Sequence, residues 1–414
     1  MLDNIEATAR PRRRGTPGWG TLLARRAVLA AMAVATTFAA AVELPPPGRS
    51  HDGATARSEL GASAAFAPDG TLHAVVKRGE QVLLYRSADA GTSWGAPVVV
   101  NATPEPISAD GENRPKIAFA ADGVVLVSWT RPLARRFSGE IRLARGAGDG
   151  HFAAPITVHR DQSEITHRFE SLMVASDGRV VVAWIDKRDL EAATAAGQDY
   201  RGTALYAAVS GDGGRTFQPE RKVADHSCEC CRIAAAADAD GTPLFFWRQV
   251  FEANERDHAL ASLGPDGAPA AVERATFDHW RIDACPHHGP GLAVGADGTR
   301  HAVWFSERDG EGRVFYGRLR SGAVEGQRPL GGEGAAHADV AAAGDRVAVV
   351  WKEFDGERTR LRAEIVEDGG RRFHALELAA SAGATDQPRL LTRNGDFFAF
   401  WHTEAEGLRG YALN

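Results

Sequence analysis

Three of the four cysteines in this sequence stand within four residues, at Cys228, Cys230 and Cys231. The fourth, Cys285, lies in a second polar stretch and is followed closely by His287. Thiolates and imidazoles are ligands that suit Cu(I) and Zn(II). One interpretation is therefore a single soft-metal site for Cu or Zn, held by these five residues, with His288 as the alternative imidazole ligand.

Two other interpretations of the cysteines stay open. The first is disulfides, the usual state after export. The Cα atoms of a disulfide usually lie about 4.4–6.8 Å apart. Adjacent Cα atoms lie about 3.8 Å apart, so a Cys230–Cys231 disulfide would be strained. In an extended strand the Cα atoms of Cys228 and Cys230 lie about 6.6 Å apart, near the upper limit of that range. A bond from this cluster to Cys285 is the easiest. The second is redox or nucleophilic thiol chemistry, with Arg232 and nearby histidines lowering a thiol pKa.

A repeated unit positions these residues. Each copy has a short apolar strand, a tight turn and a longer apolar strand that mostly ends in Trp. The turns are Asp69-Gly70, Asp122-Gly123, Asp177-Gly178, Asp240-Gly241, Asp297-Gly298, Gly344-Asp345 and Asn394-Gly395. A period of about 45–60 residues with four short strands is typical of a β-propeller. The sequence thus predicts an all-β fold with seven four-stranded blades, or six, because the first and last copies are the weakest.

Three segments follow from this pattern. Residues 1–42 are predicted to be an export signal, residues 43–57 a Pro-rich linker with a ring-closing strand, and residues 58–414 a single propeller. The last copy ends about one strand short. We therefore expect residues near 50–60 to supply the outermost strand of the last blade.

The N-terminus has the features of a targeting segment. Arg25-Arg26 precede an uncharged apolar run from Ala27 to Val42, which is shorter than the roughly 18–20 residues of a committed membrane span. The arginine pair also fits a twin-arginine signal. We predict a periplasmic or extracellular protein without stable membrane insertion after cleavage; an uncleaved anchor is the lesser alternative.

The charge of the chain argues against nucleic-acid partners. The whole chain has a formal net charge of −6, and residues 1–41 contribute +4 through six arginines and two acidic residues, so the remainder carries −10. An acidic body repels phosphate backbones.

Two turns share the pattern Ser-x-Asp-x-Gly-x-x-aromatic. Their residues are Ser87, Asp89, Gly91 and Trp94 in the first, and Ser210, Asp212, Gly214 and Phe217 in the second. Ser and Asp can bind local backbone N–H groups, Gly takes a positive φ, and the aromatic ring packs under the blade. These are Asp boxes, and here the chain resembles the sialidase-like (BNR-repeat) propellers. The resemblance implies a structural role for these turns.

The resemblance also implies one enzymatic activity, that of a sialidase. Sialidases hold a substrate carboxylate with three arginines and use a Tyr nucleophile assisted by Glu. Candidates for the carboxylate-binding arginines are Arg114, Arg168 and Arg232, and Glu170 is a further catalytic candidate. The Arg-Ile-Pro motif is absent, however, and no Tyr ends an inner strand. Exo-sialidase-type glycoside hydrolysis is therefore the enzyme alternative.

The inner strands of a propeller begin at one face of its channel, and polar residues gather at those positions. Candidates for binding a ligand there are Arg281, Asp283, His337 and His402. Concave faces that collect titratable groups are the default site. The leading prediction is an exported propeller that binds a soft metal ion or a small ligand, such as a glycan, between the fourth and fifth copies. A disulfide-stapled interaction scaffold without catalysis is the third possibility.

Overall fold

The computed structural model describes residues 60–147, 150–308, 310–367 and 372–413. These ranges contain 27 β-strands in seven antiparallel sheets and one α-helix. Each sheet pairs strands that follow one another in the chain, so each is one propeller blade. The predicted all-β propeller with seven blades is confirmed.

The first four blades each have four strands. Blade 1 contains β1 (Ala62–Phe66), β2 (Leu72–Arg78), β3 (Gln81–Ser87) and β4 (Val98–Val99). Blade 2 contains β5 (Lys116–Phe119), β6 (Val125–Pro132), β7 (Gly139–Gly146) and β8 (Ile156–Thr157). Blade 3 contains β9 (His167–Val174), β10 (Val180–Asp186), β11 (Thr203–Ser210) and β12 (Arg221–Ser227). Blade 4 contains β13 (Ala234–Ala237), β14 (Pro243–Arg248), β15 (His258–Ser262) and β16 (Glu273–Arg274).

The last three blades complete the ring. Blade 5 contains β17 (Gly291–Val294), β18 (Arg300–Arg308), β19 (Glu311–Arg320) and β20 (Ala323–Leu330). Blade 6 contains β21 (Ala335–Ala343), β22 (Arg346–Phe354), β23 (Thr359–Glu367) and β24 (Arg372–Ser381). Blade 7 contains β25 (Arg389–Arg393), β26 (Asp396–Thr403) and β27 (Gly407–Leu413). The helix α1 (Arg188–Ala195) follows β10 and is eight residues long. Across the described ranges, no helix is long and apolar enough to cross a membrane.

Blade 7 packs against blade 1 and closes the ring. The rings of Phe66 and Phe398 meet edge to face with centroids 5.1 Å apart. The indole of Trp94 donates a hydrogen bond to the Leu408 carbonyl at 2.9 Å. Blade 7 has three strands among the described residues; the predicted closing strand in 43–57 and the predicted export signal in 1–42 lie outside them.

Tryptophans near the ends of the second strands form much of the core between blades. Five are at most 1% exposed, and they are Trp129, Trp184, Trp247, Trp304 and Trp401. Their indole N–H groups remain satisfied: Trp184 donates to Asp186 at 2.9 Å and Trp304 donates to Asp278 at 2.7 Å. An indole ring is large and apolar but has one N–H donor. It can therefore fill the space between two blades while its N–H bonds to a polar group nearby.

The two Asp-box turns make the predicted local hydrogen bonds. In the first, the Ser87 hydroxyl donates to Asp89 at 2.8 Å and accepts from the Gly91 N–H at 2.7 Å. In the second, the Ser210 hydroxyl makes the same bonds to Asp212 and Gly214, at 2.7 and 2.9 Å. The side chains therefore hold these turns closed, and their role is structural.

Gly91→Ala is expected to lower the free energy of unfolding by about 2–4 kcal/mol. Gly91 has φ +96°, and an added Cβ would lie 2.5 Å from the backbone nitrogen of Gly410 in blade 7. Urea denaturation measures the loss. Gly211→Ala in the second Asp box is the control, since its Cβ would meet nothing within 4 Å and should change stability by less than ~0.5 kcal/mol. Equal effects of the two substitutions would contradict the strain argument.

Candidate functional site

The three clustered cysteines lie in the loop between β12 and β13, where blade 3 passes into blade 4. Cys228, Cys230 and Cys231 are 1%, 4% and 2% exposed. The Cys230 sulfur lies 3.9 Å from the Cys228 sulfur and 3.8 Å from the Cys231 sulfur. All three sulfurs lie within 4.8 Å of one another. The loop therefore presents three convergent, buried thiols, which we call the trithiol cluster.

All four cysteines are free thiols in this structure. A disulfide needs an S–S distance of about 2.05 Å, whereas the hydrogen-bonded sulfurs of the cluster are 3.8 and 3.9 Å apart. The disulfides predicted among the four cysteines are therefore not formed here.

The second cysteine stretch lies against the first, as its place in the repeat predicted. Cys285 is exposed, in the loop that leads into β17. A hydrogen bond with the Cys230 thiol lowers the pKa of Cys285. His287 is exposed and has φ +55°. It lies outside the group of mutually close ligand atoms, which contains only the trithiol cluster.

Two arginines flank the sulfurs. Arg256 donates from Nη1 to the Cys228 sulfur at 3.5 Å, and Arg248 is 1% exposed. Hydrogen bonds from Cys230 and Cys231, followed by the charges of Arg248 and Arg256, hold the pKa of Cys228 well below its usual range. The same hydrogen bonding to Cys228 raises the pKa of both partners. The cations therefore favour negative charge at the Cys228 sulfur.

A single carboxylate ties together the loops that carry the cysteines. Glu112, just before β5 in blade 2, is 3% exposed. Its Oε2 accepts from the Arg232 N–H and its Oε1 accepts from the Gly289 N–H, both at 2.9 Å. Arg232 directly follows Cys231, and Gly289 ends the Cys285 loop. Burial raises the pKa of Glu112, but His337, whose Nδ1 lies 3.9 Å away, and the charge of Arg232 outweigh it, so the pKa is lowered.

Arg232 itself is a buried part of this arrangement. Its Nε donates to the Pro290 carbonyl and its Nη2 donates to the Ala338 carbonyl, both at 2.6 Å. Its Nη1 lies 3.6 Å from Glu112 Oε1. Burial lowers the pKa of Arg232 to about 10. The guanidinium therefore connects blade 4 to blades 5 and 6.

The other two arginines of the predicted triad are also engaged within the chain. Arg114 is 0% exposed and donates to Asp386 at 2.5 Å and to Gln387 at 2.9 Å. Arg168 is 9% exposed and donates to Asp110. Each of the three guanidinium groups thus binds partners within the protein.

Glu170 is a buried acid at the channel face of blade 3. It is 1% exposed, and its Oε1 has no hydrogen-bond partner among the described residues. Its Oε2 lies 2.9 Å from the Thr130 hydroxyl, which also lies 2.9 Å from Asn113 Oδ1. The Thr130 hydroxyl has a single proton and can donate to only one of these two oxygens. All three groups are satisfied when Glu170 is protonated and donates to Thr130, while Thr130 donates to Asn113. Burial raises the pKa of Glu170, although the charge of Lys116 opposes it.

Glu170→Gln is expected to leave the fold intact and to raise the thermal midpoint at pH 8 by about 1–3 °C. A folded pKa raised above 4.5 means that the wild type loses stability as pH rises from 4.5 through the folded value. The amide cannot ionise, so the gain should vanish below pH 4.5. Scanning calorimetry from pH 4 to pH 8 measures this. A strongly destabilised variant at pH 8 would mean that an ionised Glu170 pairs with Lys116.

Two of the four candidates for ligand binding, Arg281 and Asp283, share the Cys285 loop, whereas His337 is in blade 6 and His402 is in blade 7. Arg281 is exposed and pairs with Glu255 at 3.2 Å, and Asp283 accepts from Asn254. The His337 ring stacks on His288, with centroids 4.4 Å apart. The ring of His402 is buried and its Nδ1 lies 2.7 Å from the Leu60 carbonyl. No hydrogen bond or ion pair between described residues joins two of the four.

Another group of possible ligands is already neutralised. Glu255, Asp257 and His279 have ligand atoms within 4.8 Å of one another. Arg274 donates to both carboxylates, and His279 Nδ1 lies 2.9 Å from Glu255. A guanidinium between the carboxylates occupies the place of a cation, so this group is an ion-pair network.

Comparison with known proteins gives a fold and no family. No protein-family model matches the chain, and no curated protein matches its sequence. Among solved structures, an ulvan lyase bound to -[GlcA(1-4)Rha3S]- is 10% identical, with TM-score 0.55 over 85% of this chain and 91% of that chain. The polysaccharide lyase Uly1 is 11% identical, with TM-score 0.52 over 83% and 87%. The Hadza microbial sialidase Hz136 is 13% identical, with TM-score 0.47 over 83% and 73%.

At these identities the likeness shows the fold alone. The chain is a seven-bladed β-propeller whose structural neighbours include lyases and a sialidase. What sets this chain apart on its own residues is the trithiol cluster and the exposed Cys285 beside it.

Proposed function

We propose that this propeller binds a soft metal ion, Cu(I) or Zn(II), in the trithiol cluster. The observation that carries the proposal is the sulfur spacing. Metal–sulfur bonds of about 2.3 Å place sulfur ligands about 3.8 Å apart around a tetrahedral ion and about 4.0 Å apart around a trigonal one. Two of the three sulfur separations, 3.8 and 3.9 Å, match that requirement, and the third is at most 4.8 Å.

The electrostatic surroundings support the same function. Metal binding requires the thiols to lose their protons, which builds negative charge in a buried place. Arg256 lies 3.5 Å from the Cys228 sulfur, and Arg248 is buried nearby, so two cations offset that charge. Cationic neighbours of this kind stabilise thiolates.

The supporting contacts also suit a rigid metal site. Outer hydrogen bonds that orient a ligand loop typically change metal affinity by about 10–100-fold. Glu112 provides such bonds, because it accepts from the backbone next to Cys231 and from the end of the Cys285 loop. If residues 1–42 direct export, the cluster operates in an oxidising compartment, where a bound ion would protect the thiols from disulfide formation.

Native mass spectrometry of the intact chain tests the proposal. The reduced protein is incubated with one equivalent of Cu(I) or Zn(II) and measured before and after denaturation. We expect one ion per chain that leaves on unfolding, with four free thiols remaining. No retained ion with either metal, or a mass short by four hydrogens, which means two disulfides, would overturn the proposal.

Glycoside hydrolysis has less support from the geometry. Arg114 and Arg232, two of the three arginines that would hold a substrate carboxylate, are almost fully buried and bound to Asp386 and to backbone carbonyls. The lyase neighbours give the fold and not the activity of this chain. Glycan binding at the channel mouth therefore stays a prediction behind metal binding.

A further inference from the structure

Of the four thiols, only Cys285 is exposed to solvent. The trithiol cluster is at most 4% exposed, whereas Cys285 is exposed. A metal ion that arrives on a small-molecule carrier meets Cys285 before it can meet a buried sulfur.

The Cys285 loop lies against the trithiol cluster. Arg256 contacts both: its backbone N–H donates to the Trp280 carbonyl near the start of the loop at 2.7 Å, and its Nη1 donates to the Cys228 sulfur at 3.5 Å. Within the cluster, Cys230 is the most exposed residue at 4%, and its sulfur lies 3.9 and 3.8 Å from the other two sulfurs. An ion bound to Cys285 is therefore held beside the cluster, with Cys230 as the most accessible of the buried thiols.

The loop that carries Cys285 is fixed at both ends and open in the middle. Trp280 is 6% exposed and lies under Arg248, whose guanidinium carbon is 5.1 Å from the indole centroid. At the other end, Gly289 donates to Glu112. Between them, Arg281, Asp283 and His287 are exposed like Cys285. The thiol thus keeps its place over the cluster while it remains accessible to a carrier.

We infer that Cys285 is the entry thiol of the metal site: it takes a thiophilic ion from a thiol-bearing carrier and passes it to Cys230. This inference rests on the proposed function. In the first step, the Cys285 thiol loses its proton and forms a metal–sulfur bond, while the metal–sulfur bond to the carrier breaks and the carrier thiol takes the proton. In the second step, Cys230 replaces Cys285 in the same way. No electron is transferred in either step.

Stopped-flow loading separates entry from retention. Reduced wild type and Cys285→Ser are mixed anaerobically with the glutathione complex of Cu(I) or of Zn(II), whichever ion the wild type retains. We expect Cys285→Ser to load at least tenfold more slowly and to keep an equilibrium affinity within tenfold of the wild type. His287→Ala, an exposed neighbour on the same loop, should load at the wild-type rate.

The outcomes distinguish this inference from the proposed function. A wild type that binds neither ion overturns both. Unchanged loading by Cys285→Ser, with normal binding by the wild type, overturns the entry role alone. A loss of equilibrium affinity beyond about a hundredfold, roughly 2.7 kcal/mol, would also overturn it, because Cys285 would then be a ligand that retains the ion.

Discussion

Cys228→Ser is expected to lower the affinity for the metal ion by at least about a hundredfold. Structural zinc sites with four ligands bind with about 10–16 kcal/mol, so one ligand contributes about 3 kcal/mol or more. A serine hydroxyl stays protonated near neutral pH and is a poor ligand for a soft ion. Cys228 also carries the Arg256 contact at 3.5 Å, so its loss removes the sulfur that the cations support best. Competition titration against a chromophoric chelator measures the affinity.

Ser227→Ala is the matched control for this substitution. Ser227 is 0% exposed, precedes Cys228 and has no hydrogen-bond partner for its hydroxyl among the described residues. Its removal should leave both affinity and fold unchanged. If Cys228→Ser binds the ion as tightly as Ser227→Ala does, the trithiol cluster is not the metal site.

The seven blades could be predicted because their signals are local. An Asp-Gly turn between two apolar runs specifies a hairpin within about ten residues of chain, and the repetition of that hairpin specifies a propeller. Even the first copy, whose second strand does not end in Trp, forms a complete four-stranded blade. Equivalent positions in neighbouring blades lie side by side, which is why the meeting of Cys285 with the cysteine cluster could also be predicted.

The partners of the charged residues could not be predicted in this way. Arg114 binds Asp386 and Glu112 binds the Gly289 N–H, across 272 and 177 residues of sequence. The repeat placed these residues at one face of the channel, but it does not determine which side chains turn inward to bind one another. Arg256 was missed altogether, because it stands between two strands and belongs to no motif.

The sequence pattern also does not determine which histidine beside the cysteines faces inward. Of the two candidate imidazoles, His287 was preferred as a ligand, whereas His288 turns inward and stacks on Phe305, with centroids 4.1 Å apart. The alternation of side chains along extended backbone breaks at His287, where φ is +55°. A positive φ is uncommon for residues other than glycine. No feature of the sequence around His287 indicates that it adopts one.

Glu112→Gln is expected to lower the free energy of unfolding by about 3 kcal/mol, the lower end for a broken buried ion pair, because Asp339 remains 3.8 Å from Arg232. Arg232 is 4% exposed, and its Nη1 has no hydrogen-bond partner among the described residues. The carboxylate oxygens of Glu112 accept from two backbone N–H groups. An amide offers only one acceptor oxygen and would direct its own N–H groups toward the other donor. Urea denaturation at pH 7 measures the loss, with the exposed Glu357→Gln as control.

The dependence on pH identifies the carboxylate as the cause. The pKa of Glu112 in the folded protein lies below its usual value of 4.5. The ionised Glu112 therefore stabilises the wild type fully above pH 4.5, and this stabilisation is lost as pH falls toward the folded pKa. The difference in stability between wild type and Glu112→Gln should be constant from pH 6 to pH 8 and should shrink on acidification below pH 4.5.

The variant should also bind the metal ion about 10–100-fold more weakly, because both cysteine loops lose their common anchor. A stable variant with unchanged affinity would show that the loops hold their positions without Glu112.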